Sequence, residues 1–173
     1  QIGGSACPEA IIKTFHDRYG VDVLHAWGMT ETSPVGTCGA LLAEQAELPF
    51  DQQLPWRLKQ GRQQLGCELK IVDPDGRRLP EDGKAFCHLL CRGPIVAAGY
   101  FKGAGGQVVD AEGWFDPGDV ATIDPHGYMQ ITDRAKDVIK SGGEWISSVE
   151  IENLAASHPK ALMAAVIGVH HPK

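Results

Sequence analysis

The sequence predicts an α/β fold, and three features carry that prediction. Residues 5–20 hold a helix signal followed by a short apolar run, residues 65–132 alternate strand-like stretches with turn dipeptides, and residues 147–169 return to a helix signal and a second apolar run. Apolar spacing near the helical period at both ends and two-residue alternation between them place helices and a sheet in one chain.

Each element follows from local chemistry. The first helix is expected over Ser5 to Gly20: Pro8 suits a first turn, Ile11, Ile12, Phe15 and Tyr19 make an apolar stripe, and Gly20 is a stop signal. Val21 to Ala26 reads as a short buried strand. Thr37 to Gln64 mixes Ala, Glu, Gln, Pro and Arg without sustained periodicity, which predicts a long surface connection with one helical turn around Ala40 to Glu47. From Leu65 the alternation predicts strands over Cys67 to Val72, Ala85 to Arg92 and Ile95 to Tyr100, with a turn at Asp75-Gly76, and so a small antiparallel subdomain. Asp119 to Ile123 and Tyr128 to Thr132 flank Asp124-Pro125-His126-Gly127, a hairpin signal in which Gly127 is free to take positive φ. Ser147-Ser148-Val149-Glu150 has the form of a capping box and opens a helix running through Ser157, after which Ala161 to Val169 is expected to be a buried strand.

Composition excludes several classes. A formal net charge of -6 and a pI near 5.6, without a cluster of Lys and Arg, argue against nucleic acid as a partner. Hydrophobic and charged fractions of 43% and 22% are those of a soluble globular chain, and no apolar run reaches the ~20 residues of a membrane helix. Cys7, Cys38, Cys67, Cys87 and Cys91 are odd in number and scattered, which suits a reducing, cytoplasmic compartment. Cys87 and Cys91 would share one strand face as small apolar groups. Gln1 at the start and His171-Pro172-Lys173 at the end give the sequence the look of an excised piece.

Four clusters carry chemistry. Gly3-Gly4-Ser5-Ala6 precedes the first helix, where small residues let a planar ring or a phosphate approach backbone N–H groups. The same residues also read as an ordinary helix cap. Ala26-Trp27-Gly28-Met29-Thr30-Glu31-Thr32-Ser33-Pro34 follows a strand end, the usual ligand position in α/β proteins. Thr30 brings a hydroxyl and Glu31 a hard carboxylate suited to a Mg²⁺-bound phosphate, although a capped turn with a solvated Glu fits too. Gly113-Trp114-Phe115-Asp116-Pro117-Gly118-Asp119 sets Asp119 after a tight turn, where its carboxylate could accept two hydrogen bonds from a vicinal diol or simply complete the turn. Asp133 to Ile146 packs both charge signs, an apolar pair and Gly142-Gly143 into one run, read either as a ligand contact or as an exposed turn between strand and helix.

In this order the four clusters resemble the adenylate-forming superfamily of acyl-CoA synthetases, luciferases and peptide-synthetase adenylation domains. The last of them, continued through Ser147 to Pro159, is most similar to the medium- and long-chain fatty acyl-CoA ligase branch. The resemblance spans Gly3 to Lys173 and implies the C-terminal part of the large domain over 1–133, with a Rossmann-like sheet edge and an antiparallel β-subdomain, then a hinge and incomplete small α+β domain over 134–173. It implies ATP or AMP, Mg²⁺ and CoA as cofactors or substrates, with a fatty or related carboxylic acid. Gly4, Ser5 and Ala6 would line the adenine, and Trp27, Gly28 and Met29 the strand end between adenine and acyl pocket. Thr30 would bind a phosphate oxygen, Glu31 the metal, Asp119 the ribose diol, and Arg134 the ribose and α-phosphate. Lys136 falls on the hinge position. Ser141, Gly142, Gly143, Glu144 and Trp145 match the loop of the thioester step, with Gly143 near the pantetheine tunnel and Lys140 as a charged helper.

One departure is visible: Pro117 stands where the family usually has Thr, removing a hydroxyl and a backbone donor. The family's phosphate loop and small-domain catalytic Lys are not among these residues, so the piece alone is expected to be inactive. An aryl-acid ligase, a carrier-protein adenylating domain and a non-catalytic nucleotide-binding remnant are the competing expectations. A sheet separated from its neighbours also exposes apolar faces, so the piece is expected to be marginally stable.

Overall fold

The computed structural model describes residues 1–136, 138–141, 144–156, 158 and 160–169, with the backbone alone for residues 140, 141, 144, 145, 150 and 153. Its centre is a sheet of seven strands: β1 (Ala26–Trp27), β2 (Thr37–Cys38), β3 (Gly61–Gln63), β4 (Glu68–Val72), β5 (Phe86–Arg92), β6 (Asp119–Ile123) and β7 (Tyr128–Arg134), in the spatial order β1-β2-β3-β7-β6-β5-β4. Every neighbouring pair is antiparallel. A separate hairpin, β8 (Ile139–Ser141) with β9 (Glu144–Ile146), follows β7. The helices are α1 (Glu9–Tyr19), α2 (Ala43–Ala46), α3 (Phe50–Arg57) and α4 (Ser148–Ala156).

β5 shows why the middle of the chain folds as a sheet. Cys87, Leu89 and Cys91 alternate inward, and Leu69 and Ile71 of β4, Ala121 and Ile123 of β6 and Met129 of β7 pack with them in the main core. The two cysteines pack as expected, and all five thiols are free. A smaller core of Cys7, Ile12, Val23 and Leu54 sits beneath α1. That helix begins at Glu9, with Pro8 in extended conformation just before it, and ends at Gly20, whose φ of 62° lets its N–H return to the His16 carbonyl at 2.9 Å. Of the expected apolar stripe only Ile12 is buried; Ile11, Phe15 and Tyr19 are exposed.

Four stretches differ from expectation. Val21 to Ala26 does not form a continuous strand, because its neighbour Ile2 supplies one parallel bridge to His25 and no ladder; pairing begins at Ala26. Thr37 to Gln64 holds two strands and two helices rather than one long connection. Its buried polar residues explain the misreading: Gln53 donates to the carbonyls of Ala46 and Leu48 at 3.1 and 2.6 Å, and Arg57 reaches Gln53 at 2.8 Å and Asp22 at 2.9 Å. Ile95 to Tyr100 is not a strand: Val96 turns back to Gly93, and the Ala97 N–H goes to the Glu31 carbonyl at 2.8 Å. Ala161 to Val169 pairs with no strand among the described residues, and Leu162, Met163, Ile167 and Val169 are exposed. A strand needs a partner for its N–H and C=O groups, and apolar character does not supply one.

The β6–β7 hairpin is closed as its sequence predicts. Gly127 has φ of 81°, and the Asp124 carboxylate accepts the N–H groups of His126 and Tyr128 at 2.9 and 3.0 Å while pairing with Lys59 at 2.6 Å. Burial pushes Asp124 up, but the Lys59 ammonium and these backbone donors outweigh it and hold the carboxyl below its ordinary value. A depressed acid stabilises the fold above its unfolded value near ~3.9 and loses that contribution as pH falls through the folded value. Urea denaturation at stepped pH is therefore expected to show an acid loss that Asp124→Asn removes. No helix among the described residues is long and apolar enough to cross a membrane.

Candidate functional site

A β-bulge sets the site. From Ile123↔Met129 through Ala121↔Ile131 the hairpin register is regular, then it shifts at Val120, which faces Asp133, so that Asp119 faces Arg134. Regular pairing would have placed Asp133 opposite Asp119, two carboxylates side by side. The extra residue, Thr132, is tied off by its hydroxyl to the Val120 carbonyl at 3.1 Å. Bulges re-aim side chains in this way near functional sites.

Asp119 is 3% exposed. Its Oδ1 accepts from the Arg134 guanidinium at 2.8 Å, and its Oδ2 from the Trp27 indole at 2.8 Å. Burial pushes the carboxyl above its ordinary value, and these two donors oppose that shift. The turn before it is held firmly: the Lys70 ammonium and the Arg92 guanidinium lie over the Trp114 ring, 4.2 and 4.4 Å from its centroid, and Phe115 exchanges two backbone hydrogen bonds with Cys91. Pro117 contributes its carbonyl, 3.4 Å from Arg134.

These residues open onto a cleft of about 280 Å³ lined by Gly4, Ser5, Ala6, Trp27, Gly28, Met29, Asp119 and Arg134. The structure thus gathers residues from three of the four sequence clusters and Asp133 and Arg134 from the fourth. Sequence reasoning gave no role to Asp133 and missed Gln60, Val149 and Glu152, which line the same space. Beneath it the buried His25 donates from Nδ1 to the Leu58 carbonyl at 2.9 Å, and Gln60 ties to the Ile131 N–H at 2.8 Å. Gly28 is required by space: a Cβ there would lie 1.9 Å from the Pro34 carbonyl oxygen. Backbone meeting backbone leaves no side chain to yield, so Gly28→Ala is expected to lower the unfolding free energy by about 3 kcal/mol in urea denaturation.

Thr30 and Glu31 lie outside this lining, in a 3₁₀ turn (Thr30–Thr32) that follows Met29. Thr30 is exposed, while Glu31 is half-buried and accepts the Tyr100 hydroxyl at 2.5 Å. Lys136 is exposed in the turn after β7. Lys140 pairs with Trp145, and Ser141 with Glu144, across the β8–β9 hairpin backbone. Their side chains, and Gly142 and Gly143 altogether, lie outside the described residues.

Asp133 links β7 to the start of α4. Nearly fully buried, it accepts the Ser148 N–H at 2.8 Å, the Ser148 hydroxyl at 3.1 Å and the Arg134 N–H at 2.7 Å. The Ser147 hydroxyl donates to the Thr132 carbonyl, which fastens the start of α4 to β7 as well; the expected capping box itself involves the Glu150 side chain, which lies outside the described residues. Electrostatically the cleft lining holds three carboxylates, Asp119, Asp133 and Glu152, and a single guanidinium among the described residues.

A family described as "AMP-binding enzyme" matches residues 1–101. The chain is 56% identical over 172 residues to a 3-methylmercaptopropionyl-CoA ligase of Ruegeria lacuscaerulensis, covering 99% of this chain and 32% of that protein. It is 54% identical to a medium-chain-fatty-acid–CoA ligase of Ectopseudomonas oleovorans, over 99% of this chain and 31% of that protein. Among solved structures it is similar to the o-succinylbenzoate CoA synthetase of Bacillus subtilis in complex with its acyl-adenylate intermediate, with a TM-score of 0.80, 28% identity, and coverage of 98% of this chain and 33% of that one. The chain spans about a third of the length of the curated relatives it matches.

Proposed function

The chain belongs to the AMP-binding enzyme family, and from that premise we propose that its cleft holds the adenosine of ATP in a protein that activates a carboxylic acid as an acyl-adenylate and transfers the acyl group to CoA. The observation that carries this reading is Asp119, a buried carboxylate presented by a bulge beside Arg134 and next to the Gly4-Ser5-Ala6 wall. In the first step a carboxylate oxygen attacks the α-phosphorus and pyrophosphate leaves. In the second the CoA sulfur attacks the acyl carbonyl, AMP leaves and the thiol proton is lost. The protein's part is positioning and charge compensation. Asp119 orients the ribose, Gly4, Ser5 and Ala6 the base, Trp27, Gly28 and Met29 the boundary with the acid, and Arg134 faces the α-phosphate.

Mg²⁺ suits the residues present in the manner usual for that ion, which is held by phosphate oxygens and water with one or two carboxylates. No three of His, Cys, Asp and Glu gather among the described residues, whereas Glu31 and the neighbouring Thr30 hydroxyl offer single hard donors. We assign Glu31 to the ion and Thr30 to a phosphate oxygen; when bound, Mg²⁺ supplies charge against the phosphates. We divide the chain at 133/134, with Lys136 as the hinge and residues 140–145 serving the thioester step. The free thiols accord with a cytoplasmic location.

Similarity to ligases named for 3-methylmercaptopropionyl-CoA and for medium-chain fatty acids supports an aliphatic acid as the substrate. The test is ATP–pyrophosphate exchange by the full natural protein with straight-chain acids from butyrate to palmitate, 3-methylmercaptopropionate and benzoate. Exchange driven by the aliphatic acids is expected, and no exchange with any acid overturns the reading. The 173 residues alone are expected to give none, because one guanidinium against three carboxylates does not offset a triphosphate.

A further inference from the structure

The carboxylate of Asp119 is attached through a broad, two-fold torsion, so its backbone position alone does not decide which oxygen faces the cleft. Two donors constrain it, and they differ in kind. Arg134 sits on a long side chain that is 56% exposed. Trp27 is 8% exposed and seated on Gly36, where a Cβ would lie 2.4 Å from the ring carbon Cζ3. Gly36 is fixed in turn by its N–H to the Trp27 carbonyl at 2.9 Å. The ring therefore has one seat and one direction for its N–H, 2.8 Å from Oδ2. An indole donates and never accepts, so the bond forms only with an acceptor oxygen.

We propose that Trp27 is a positioning residue for the sugar-binding carboxylate: its indole N–H pins Oδ2 of Asp119 and thereby keeps Oδ1 turned toward the ribose diol, an inference that rests on the nucleotide reading of the cleft. Arg134 guards Oδ1 while no sugar is present, and the diol hydroxyls take its place or share that oxygen. Trp27 remains bonded throughout. Its role is separate from any contact of its ring with the base or the acid, because the donor is the N–H alone.

The experiment compares equilibrium binding of ATP and 2′,3′-dideoxy-ATP to the full natural protein and to Trp27→Phe, which keeps an aromatic ring and removes the donor. The unsubstituted protein is expected to favour ATP by at least about tenfold, in keeping with hydrogen bonds to a charged acceptor. In Trp27→Phe, ATP binding is expected to weaken about tenfold more than dideoxy-ATP binding, so the preference collapses. A general structural role would weaken both ligands alike, and an unchanged preference overturns the inference. No preference in the unsubstituted protein overturns the nucleotide reading itself, and the inference with it. If Trp27→Phe does not fold, the indole N–H resonance of Trp27 decides: displacement of that resonance by Asp119→Ala, which removes the acceptor, supports the bond, and an unmoved resonance overturns it.

Discussion

Asp119→Ala is expected to weaken ATP binding by two orders of magnitude or more and to lower the unfolding free energy by about 2 kcal/mol, the scale of leaving a buried donor without its acceptor. The substitution strips the acceptor from two groups at once. The Trp27 N–H is left in a buried setting with nothing to bond, and Arg134 loses its partner at 2.8 Å. Asp119→Asn separates the two effects: it keeps the shape and an acceptor oxygen, so it should restore most of the stability and little of the nucleotide affinity. Titration calorimetry and urea denaturation on the same samples read both. An Asp119→Ala protein that binds ATP normally would remove the central residue from the proposed site.

The pH response of Asp119 runs opposite to that of Asp124. Burial raises the Asp119 carboxyl above its ordinary value. An acid raised on folding contributes stability that is full below the unfolded value near ~3.9 and lost as pH rises through the folded value. Its ionised form is also the one that can accept from the diol through Oδ1 while Oδ2 holds the Trp27 N–H. Nucleotide affinity should therefore begin to fall on acidification at a pH above ~3.9, while the fold is still intact.

Asp119 and its neighbours were legible because their chemistry is local: a tight turn, a carboxylate, a strand. Gly4, Trp27 and Asp119 come from distant parts of the chain, and only the recurrence of ordered motifs joined them before the sheet did so in space. Thr132 was not legible as the bulged residue, since nothing in Tyr128 to Arg134 breaks the alternation. Without the bulge, Asp133 has no visible task and the pairing of Asp119 with Arg134 cannot be foreseen. Two of the misread stretches share one cause. Apolar runs at Ile95 to Tyr100 and Ala161 to Val169 have strand-like composition, but among the described residues no ladder partner reaches them, and a strand is a property of two segments. In Thr37 to Gln64 the reverse holds: Gln45, Gln53 and Arg57 are buried and bonded, so polarity concealed an ordered, packed region.

Asp133→Ala is expected to release α4 from the sheet. The substitution leaves the Ser148 N–H and hydroxyl and the Arg134 N–H without their acceptor. A lost helix cap costs ~0.5–2 kcal/mol and a buried unsatisfied donor ~1–3 kcal/mol, so a loss of about 3 kcal/mol is expected. Amide hydrogen exchange should speed up across residues 148–156 while β4, β5 and β6 keep their protection, because α4 touches the sheet through β7. The consequence reaches the cleft, since Val149 and Glu152 of α4 are part of its lining. If Lys136 is the hinge, Asp133 and Ser148 lie on opposite sides of it, and their bonds exist in one orientation of the two parts only. Removing them must then change the balance between pyrophosphate exchange and CoA-dependent thioester formation in the full natural protein. A lesion of stability alone lowers both rates in proportion, so an unchanged ratio together with unchanged exchange in α4 would remove Asp133 from the role of anchor.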